Sequence, residues 1–189
     1  MIELYMMRAG RTVWEESDRI EPPEGTPLSE AGAEEIQAAS RQLAGRGIGT
    51  VYTSDGQSEQ ASARLAAGML RAKVKVRRKL HEQDFGLWQG LTVAEIKRRH
   101  PKQYRQWKDS PQTFRAPDGE TVPEARERLT QAVRQIARRH KNGPMLLVLR
   151  PIALALVRSV LQDQPAENFW QYVSADYTWG SYQLAPREL

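Results

Sequence analysis

The chain of 189 residues contains no cysteine, which excludes disulfides, thiolate nucleophiles and thiolate-held metals. Histidine is almost as scarce, with three residues at 81, 100 and 140, too scattered for a His-based metal site. No cofactor or metal is expected. Long apolar runs are missing too: none approaches the ~20 residues that cross a bilayer. The first residues enter a strand-like segment without the basic, apolar and small-residue zones of a secretory signal. A cytoplasmic protein without a membrane partner is the expectation. Repeats, low-complexity tracts and linkers are also lacking, so residues 1–189 are expected to form one domain around one core.

What is present in excess is basic charge. Twenty-eight Lys and Arg against 23 Asp and Glu give +5, a balance that favours an anionic partner. The clusters Lys97, Arg98, Arg99 and Arg134, Arg138, Arg139 lie among Glu and Gln, without interleaved aromatics or a nucleic-acid motif. They read as solvated helix faces, so nucleic acid is not the expected partner.

Residues 2–8 read as a buried strand, followed by a polar, Pro-rich loop to Leu28, long enough to be functional. Ile36, Ala39 and Leu43 recur at helical spacing between Ser29 and Arg46, with Gly45 and Gly47 closing the segment. A short strand at Thr50 to Thr53, an Ala-rich helix over 59–71 and an alternating strand around Val74 and Val76 continue the rhythm. Thr92 with Glu95 and Thr121 with Glu124 are capping-box signatures, and Pro101 should interrupt the first of the two helices. Met145 to Leu149 form a continuous apolar strand, Pro151 to Leu161 a buried helix, and Tyr182 to Leu184 a last strand. Alternating strands and helices predict an α/β fold, a mostly parallel sheet covered on both faces, with ligands at the carboxyl ends of its strands.

Several segments carry more specific information. Arg8-Ala9-Gly10-Arg11-Thr12 ends the first strand; Pro27-Leu28-Ser29-Glu30-Ala31-Gly32 follows, then Val51-Tyr52-Thr53-Ser54-Asp55. Leu80-His81-Glu82-Gln83-Asp84-Phe85-Gly86-Leu87-Trp88-Gln89-Gly90 precedes Gly119-Glu120-Thr121 and the strand Leu146 to Arg150. In order and spacing these segments resemble the histidine phosphatase superfamily, the phosphoglycerate-mutase-like family, over residues 2 to about 160. The resemblance implies a three-layer α/β/α sandwich, with residues 92–120 as a helical insertion over the pocket.

In that family a histidine attacks phosphorus, two arginines and a second histidine stabilise the transferring charge, and a glutamate protonates the leaving oxygen. Carried over residue by residue, the nucleophile falls on Ala9, the second histidine on Arg150 and the second arginine on Ser58, with Glu59 beside it. Pro151, which has no backbone N–H, stands where the family has glycine. Arg8 and the acid Glu82 remain. The resemblance therefore implies a pseudophosphatase without catalytic residues of its own, acting by binding an anionic small molecule, such as phosphate or a phosphoester, or a protein partner. Arg8, Glu82, Arg150 and Arg11 are the candidate ligand-binding residues. The alternative is a divergent phosphatase that hydrolyses phosphomonoesters with water, using Glu82 and the clamp of Arg8 and Arg150. Arg8 and Arg150 either rebuild an anion site or pair with Glu82 and close it; Arg11 is also expected to face solvent. Aromatics at Trp14, at Tyr104 to Trp107 and from Phe169 to Tyr182 suggest a protein partner or homo-oligomer, or else lid and core packing.

Overall fold

Ile2–Arg8 form strand β1, and its side chains alternate between two cores. Leu4 and Met6 join one apolar cluster while Tyr5 and Met7 join another, as the period of two in an extended chain requires. The computed structural model describes residues 1–141, 143–165, 170–173 and 176–185. Within them β2 (Thr50–Thr53), β3 (Lys73–Val76), β4 (Met145–Leu149) and β5 (Trp179–Leu184) complete a sheet of order β3-β2-β4-β1-β5. All neighbours are parallel except β5, which runs antiparallel to β1 from Ile2↔Leu184 to Met7↔Trp179. The last strand thus begins at Trp179, three residues before the alternation in the sequence announces it.

Helices cover both faces, which is why β4 is buried along its whole length. Helices α2 (Glu30–Leu43) and α3 (Gln57–Leu70) pack Ile36, Ala39, Leu43, Ala63 and Ala66 against Val51, Leu146 and Val148. On the other face α6 (Val122–Arg139) and α7 (Pro151–Leu161) bring Leu129, Val133, Leu154 and Leu156 against Tyr52, Leu147 and Leu149. The result is the three-layer sandwich implied by the family resemblance.

Helix starts follow the sequence signals. Ser29 caps α2 through the Gly32 N–H, and the Thr92–Glu95 and Thr121–Glu124 capping boxes both form. Pro101 ends α4 (Val93–Arg99) and opens α5 (Pro101–Asp109). The polar loop after β1 holds one helical turn, α1 (Val13–Glu16), capped by the Thr12 hydroxyl. A third cluster joins the Glu82 to Gly90 block to α4 and α5: Phe85, Trp88, Ile96, Trp107 and Phe114. Trp88 and Phe114 lie 4.7 Å apart by ring centroids, and Trp107 meets Phe85 edge-on at 5.5 Å. Ile20 and Ile152 pack against this cluster, linking the segment 92–120 to the carboxyl ends of the strands.

Two glycines are fixed by close approach. A Cβ at Gly10 would overlap the Gly32 carbonyl, which seats the first loop on the start of α2. Gly86 combines a φ of +46° with the Pro117 carbonyl where a side chain would stand.

The aromatic interface expected from the sequence does not form as an exposed patch. No described aromatic is exposed; Trp107 is buried, and Trp14, Tyr104, Trp170 and Trp179 are half-buried. Phe169 lies outside the described residues. The exposed large apolar side chains, Val13 and Leu87 among them, are scattered, an ordinary feature of surfaces.

Candidate functional site

The carboxyl ends of β1, β2 and β4 deliver Arg8 and Ala9, Ser54, and Arg150 to one end of the sheet. Ala9 is held there by its N–H to the Leu149 carbonyl at 2.7 Å, and its methyl packs with Ile36 and Ala39. Nothing at that position can accept a phosphoryl group. Arg8 and Ala9 line a cavity of about 280 Å³ on the α2 side, bounded also by Ile36 and Tyr177. Glu82 and Arg150 line a different cavity of about 150 Å³, together with Glu15, Arg19, Glu21, Phe85 and Ile152. Arg8 and Ala9 therefore open into one space and Glu82 and Arg150 into another, and the ion pair between Arg8 and Glu15 spans the two.

Each charged group at this end of the sheet already has a partner. Glu82 is 4% exposed. Its Oε1 accepts the Gln83 and Ala153 N–H groups at 2.8 and 2.7 Å, and its Oε2 accepts the Ile152 N–H at 2.9 Å. Because Pro151 opens α7 without an N–H, the free donors of that helix terminus begin at Ile152, and Glu82 takes them. Burial pushes the Glu82 carboxyl up, opposed first by the charge of Arg150 and then by the three backbone donors.

Arg150 does not close the pocket by a direct pair with Glu82. Its guanidinium donates to the Pro22 carbonyl at 2.9 Å and stands 3.9 Å from Glu21 Oε1. Glu21 is buried and accepts the Thr12 hydroxyl at 2.7 Å and the Thr26 N–H and hydroxyl at 3.1 and 2.6 Å. Arg8 pairs with Glu15 instead of Glu82. Burial also pushes the Glu15 carboxyl up, against the pull of Arg8. Arg11 faces solvent, where its Nε donates to Glu35 Oε1 at 2.6 Å, a carboxylate that also lines the cavity of Arg8 and Ala9.

Ser58 lies on the first turn of α3, fully buried, and donates to Glu59 Oε2 at 2.9 Å, while Ser54 donates to Glu59 Oε1 at 3.0 Å. Where the resemblance calls for an arginine, the protein holds a carboxylate over the amino end of α3. Arg8, Arg19 and Arg150 thus face Glu15, Glu21 and Glu82, with Glu59 behind them. Four carboxylates against three guanidinium groups leave no surplus positive charge there for a phosphate.

Glu15, Glu21 and Glu59 as partners were not foreseen from the sequence. The available signal was the density of glutamates in the first loop, beside a site that resembles an anion pocket. Among the described residues no group of three or more His, Asp or Glu could hold a metal, and no helix is long and apolar enough to cross a membrane.

The family model for the histidine phosphatase superfamily (branch 1) matches residues 4–184. The chain belongs to that superfamily. Phosphoserine phosphatase 1 of Hydrogenobacter thermophilus is 21% identical over 172 residues, 91% of this chain and 82% of that protein. The alpha-ribazole phosphatase of Shigella flexneri superposes with a TM-score of 0.87 at 21% identity, over 97% of this chain and 91% of that one. A mycobacterial glucosyl-3-phosphoglycerate phosphatase, solved with inorganic phosphate, gives a TM-score of 0.77 at 25% identity, over 89% and 83% of the two chains. The superfamily relationship and the shared fold agree with the three layers described above.

Proposed function

We propose that this superfamily member lacks phosphoryl transfer and acts by binding, with an anionic small molecule as its ligand. The observation that carries the first half is the state of Glu82. Both of its oxygens accept backbone N–H groups, so the group that should protonate a leaving oxygen is spent on holding α7. Ala9 supplies no nucleophile, and general acid–base help, typically worth ~10² to ~10⁴-fold, does not replace one. The two changes support the same reading from opposite sides of the reaction.

Direct attack by water, with Arg8 and Arg150 clamping the phosphate, needs those groups free and convergent. Arg8 is tied to Glu15, Arg150 to Pro22 and Glu21, and Arg8 and Glu82 line separate cavities. For the ligand class, the net charge of +5 favours an anion, bound away from the charge-compensated end of the sheet. A protein partner has less support, because the aromatics that would anchor it are packed inward.

The test is turnover of p-nitrophenyl phosphate and phosphoserine by the full chain across acid to alkaline pH. Release of phosphate at the rate of a protein-free blank is expected. Turnover at ~1 s⁻¹ or faster, within the ordinary range for enzymes, would overturn the reading.

A further inference from the structure

At the far edge of the sheet β3 pairs only with β2, and its register sets Lys75 beside Tyr52. Both side chains look toward α6, and between that helix and the edge strand lies a groove of about 280 Å³. Its rim carries Lys75, Arg77, Arg78, Lys79 and Arg139, all exposed, and no carboxylate lines it. Its floor is formed by Tyr52, Ala132 and Ile136, with the Gln135 amide at the side. We propose that this groove is a binding site for a nucleoside di- or triphosphate.

The charge arrangement is the first argument. Arg78 has Asp55 at 2.7 Å, whereas Lys75, Arg77, Lys79 and Arg139 have no carboxylate within 4.0 Å among the described residues. Lys75 Nζ and Arg77 Cζ nevertheless gather over one ring, 5.7 and 5.6 Å from the Tyr52 centroid. Both are exposed cations, and bound phosphates would supply the counter-charge that no described carboxylate provides there. At the phosphatase-like end of the sheet, by contrast, Arg8 pairs with Glu15 and Arg150 stands 3.9 Å from Glu21.

Guarding a sheet edge with lysine explains Lys73 and Lys75. It does not explain Arg77, Arg78 and Lys79, which follow the strand, or Arg139, which comes from the last turn of α6. The second argument is the mixed lining. Ala132, Ile136 and Tyr52, each 2–4% exposed, make a narrow apolar floor for the edge of a flat ring, and exposed Gln135 can both donate to and accept from a base edge. The volume lies just below the ~300 Å³ at which ligand sites begin, room for part of one nucleotide with the rest in the open mouth, and too small for a folded polymer.

The inference rests on the binding reading but not on the loss of phosphoryl transfer, so a groove that binds nothing would leave the turnover test above unaffected. Isothermal titration of the full chain with ADP, ATP, pyrophosphate and a short single-stranded oligonucleotide decides it. ADP and ATP should bind one per chain, tenfold or more tighter than pyrophosphate. Lys75→Glu with Arg77→Glu should weaken them at least tenfold, as should Arg139→Glu on the separate element α6. Gln135→Ala should weaken ADP and leave pyrophosphate unchanged, and Lys102→Glu on α5 serves as the charge-matched control. Circular dichroism confirms that each variant is folded. Equal affinity for pyrophosphate and ADP, binding of the oligonucleotide alone, equal losses in the Lys102→Glu control, or no saturable binding would each overturn the proposal.

Discussion

Replacing Glu82 by glutamine exchanges one carboxylate oxygen for an NH₂ group and tests whether this residue holds the fold rather than a substrate. The amide oxygen can keep the two bonds made by Oε1 to Gln83 and Ala153, but the amide NH₂ then faces the Ile152 N–H, donor against donor. A buried backbone donor left without an acceptor costs ~1–3 kcal/mol. Removing the negative charge from the amino end of α7 costs a further ~0.3–2 kcal/mol. Relief from burying a charge outweighs that second cost, since burial pushes the Glu82 carboxyl up despite Arg150 and the backbone donors. The orphaned Ile152 donor then dominates, a net loss of about 1 kcal/mol. Urea unfolding at neutral pH reads it as a lower midpoint with unchanged slope. A variant as stable as the wild type would refute the placement of Glu82 as the cap of α7.

Other predictions follow from the same contacts. In a carbon-detected titration Glu82 should lose its proton above the ordinary glutamate range, whereas Glu124, held by the Thr121 cap and Arg115, should titrate at about 2. The stability owed to Glu82 is therefore greatest at low pH and declines as pH rises from the ordinary range through its raised value, while that owed to Glu124 is present above the ordinary range and lost as pH falls toward about 2. Reversed shifts would contradict both assignments. Trp107→Ala should cost ~3–5 kcal/mol, because its ring contacts Phe85, Trp88, Tyr104 and Trp170; thermal unfolding checks it, and a loss below ~1 kcal/mol would show this cluster to be loosely packed. Light scattering should return the mass of one 21.5 kDa chain, and a concentration-dependent dimer would restore weight to the aromatic interface.

The fold was legible where its causes are local. Capping boxes at Thr92 and Thr121, the break at Pro101 and the unbroken apolar run of β4 depend on residues a few positions apart, and each is found where the pattern put it. The direction of β5 was not legible, since pairing Ile2 with Leu184 is a matter of chain return and not of period. The site divides in the same way. The proposal that Ala9, Ser58 and Arg150 stand where the family pattern has other residues rests on the motif resemblance alone. Who pairs with whom cannot be read from the motifs: Glu82 meets donors about seventy positions away, and Arg150 meets a carbonyl and a carboxylate from the first loop. Arg8 and Glu82 are near in the motif pattern, yet Glu15, on a turn hidden in a loop, is the carboxylate that reaches Arg8.

The central claim is that chemistry is missing from the site as a whole and not from one position. Its most direct test is the variant Ala9→His, incubated with labelled acetyl phosphate and assayed for acid-labile phosphate on histidine. Because Glu82 remains bound to the α7 terminus, Arg150 to Pro22 and Glu21, and Ser58 to Glu59, the variant should form no stoichiometric phosphohistidine and should turn over no phosphomonoester. A stoichiometric phosphoenzyme that hydrolyses and turns over would show that the single histidine suffices, and would contradict the account.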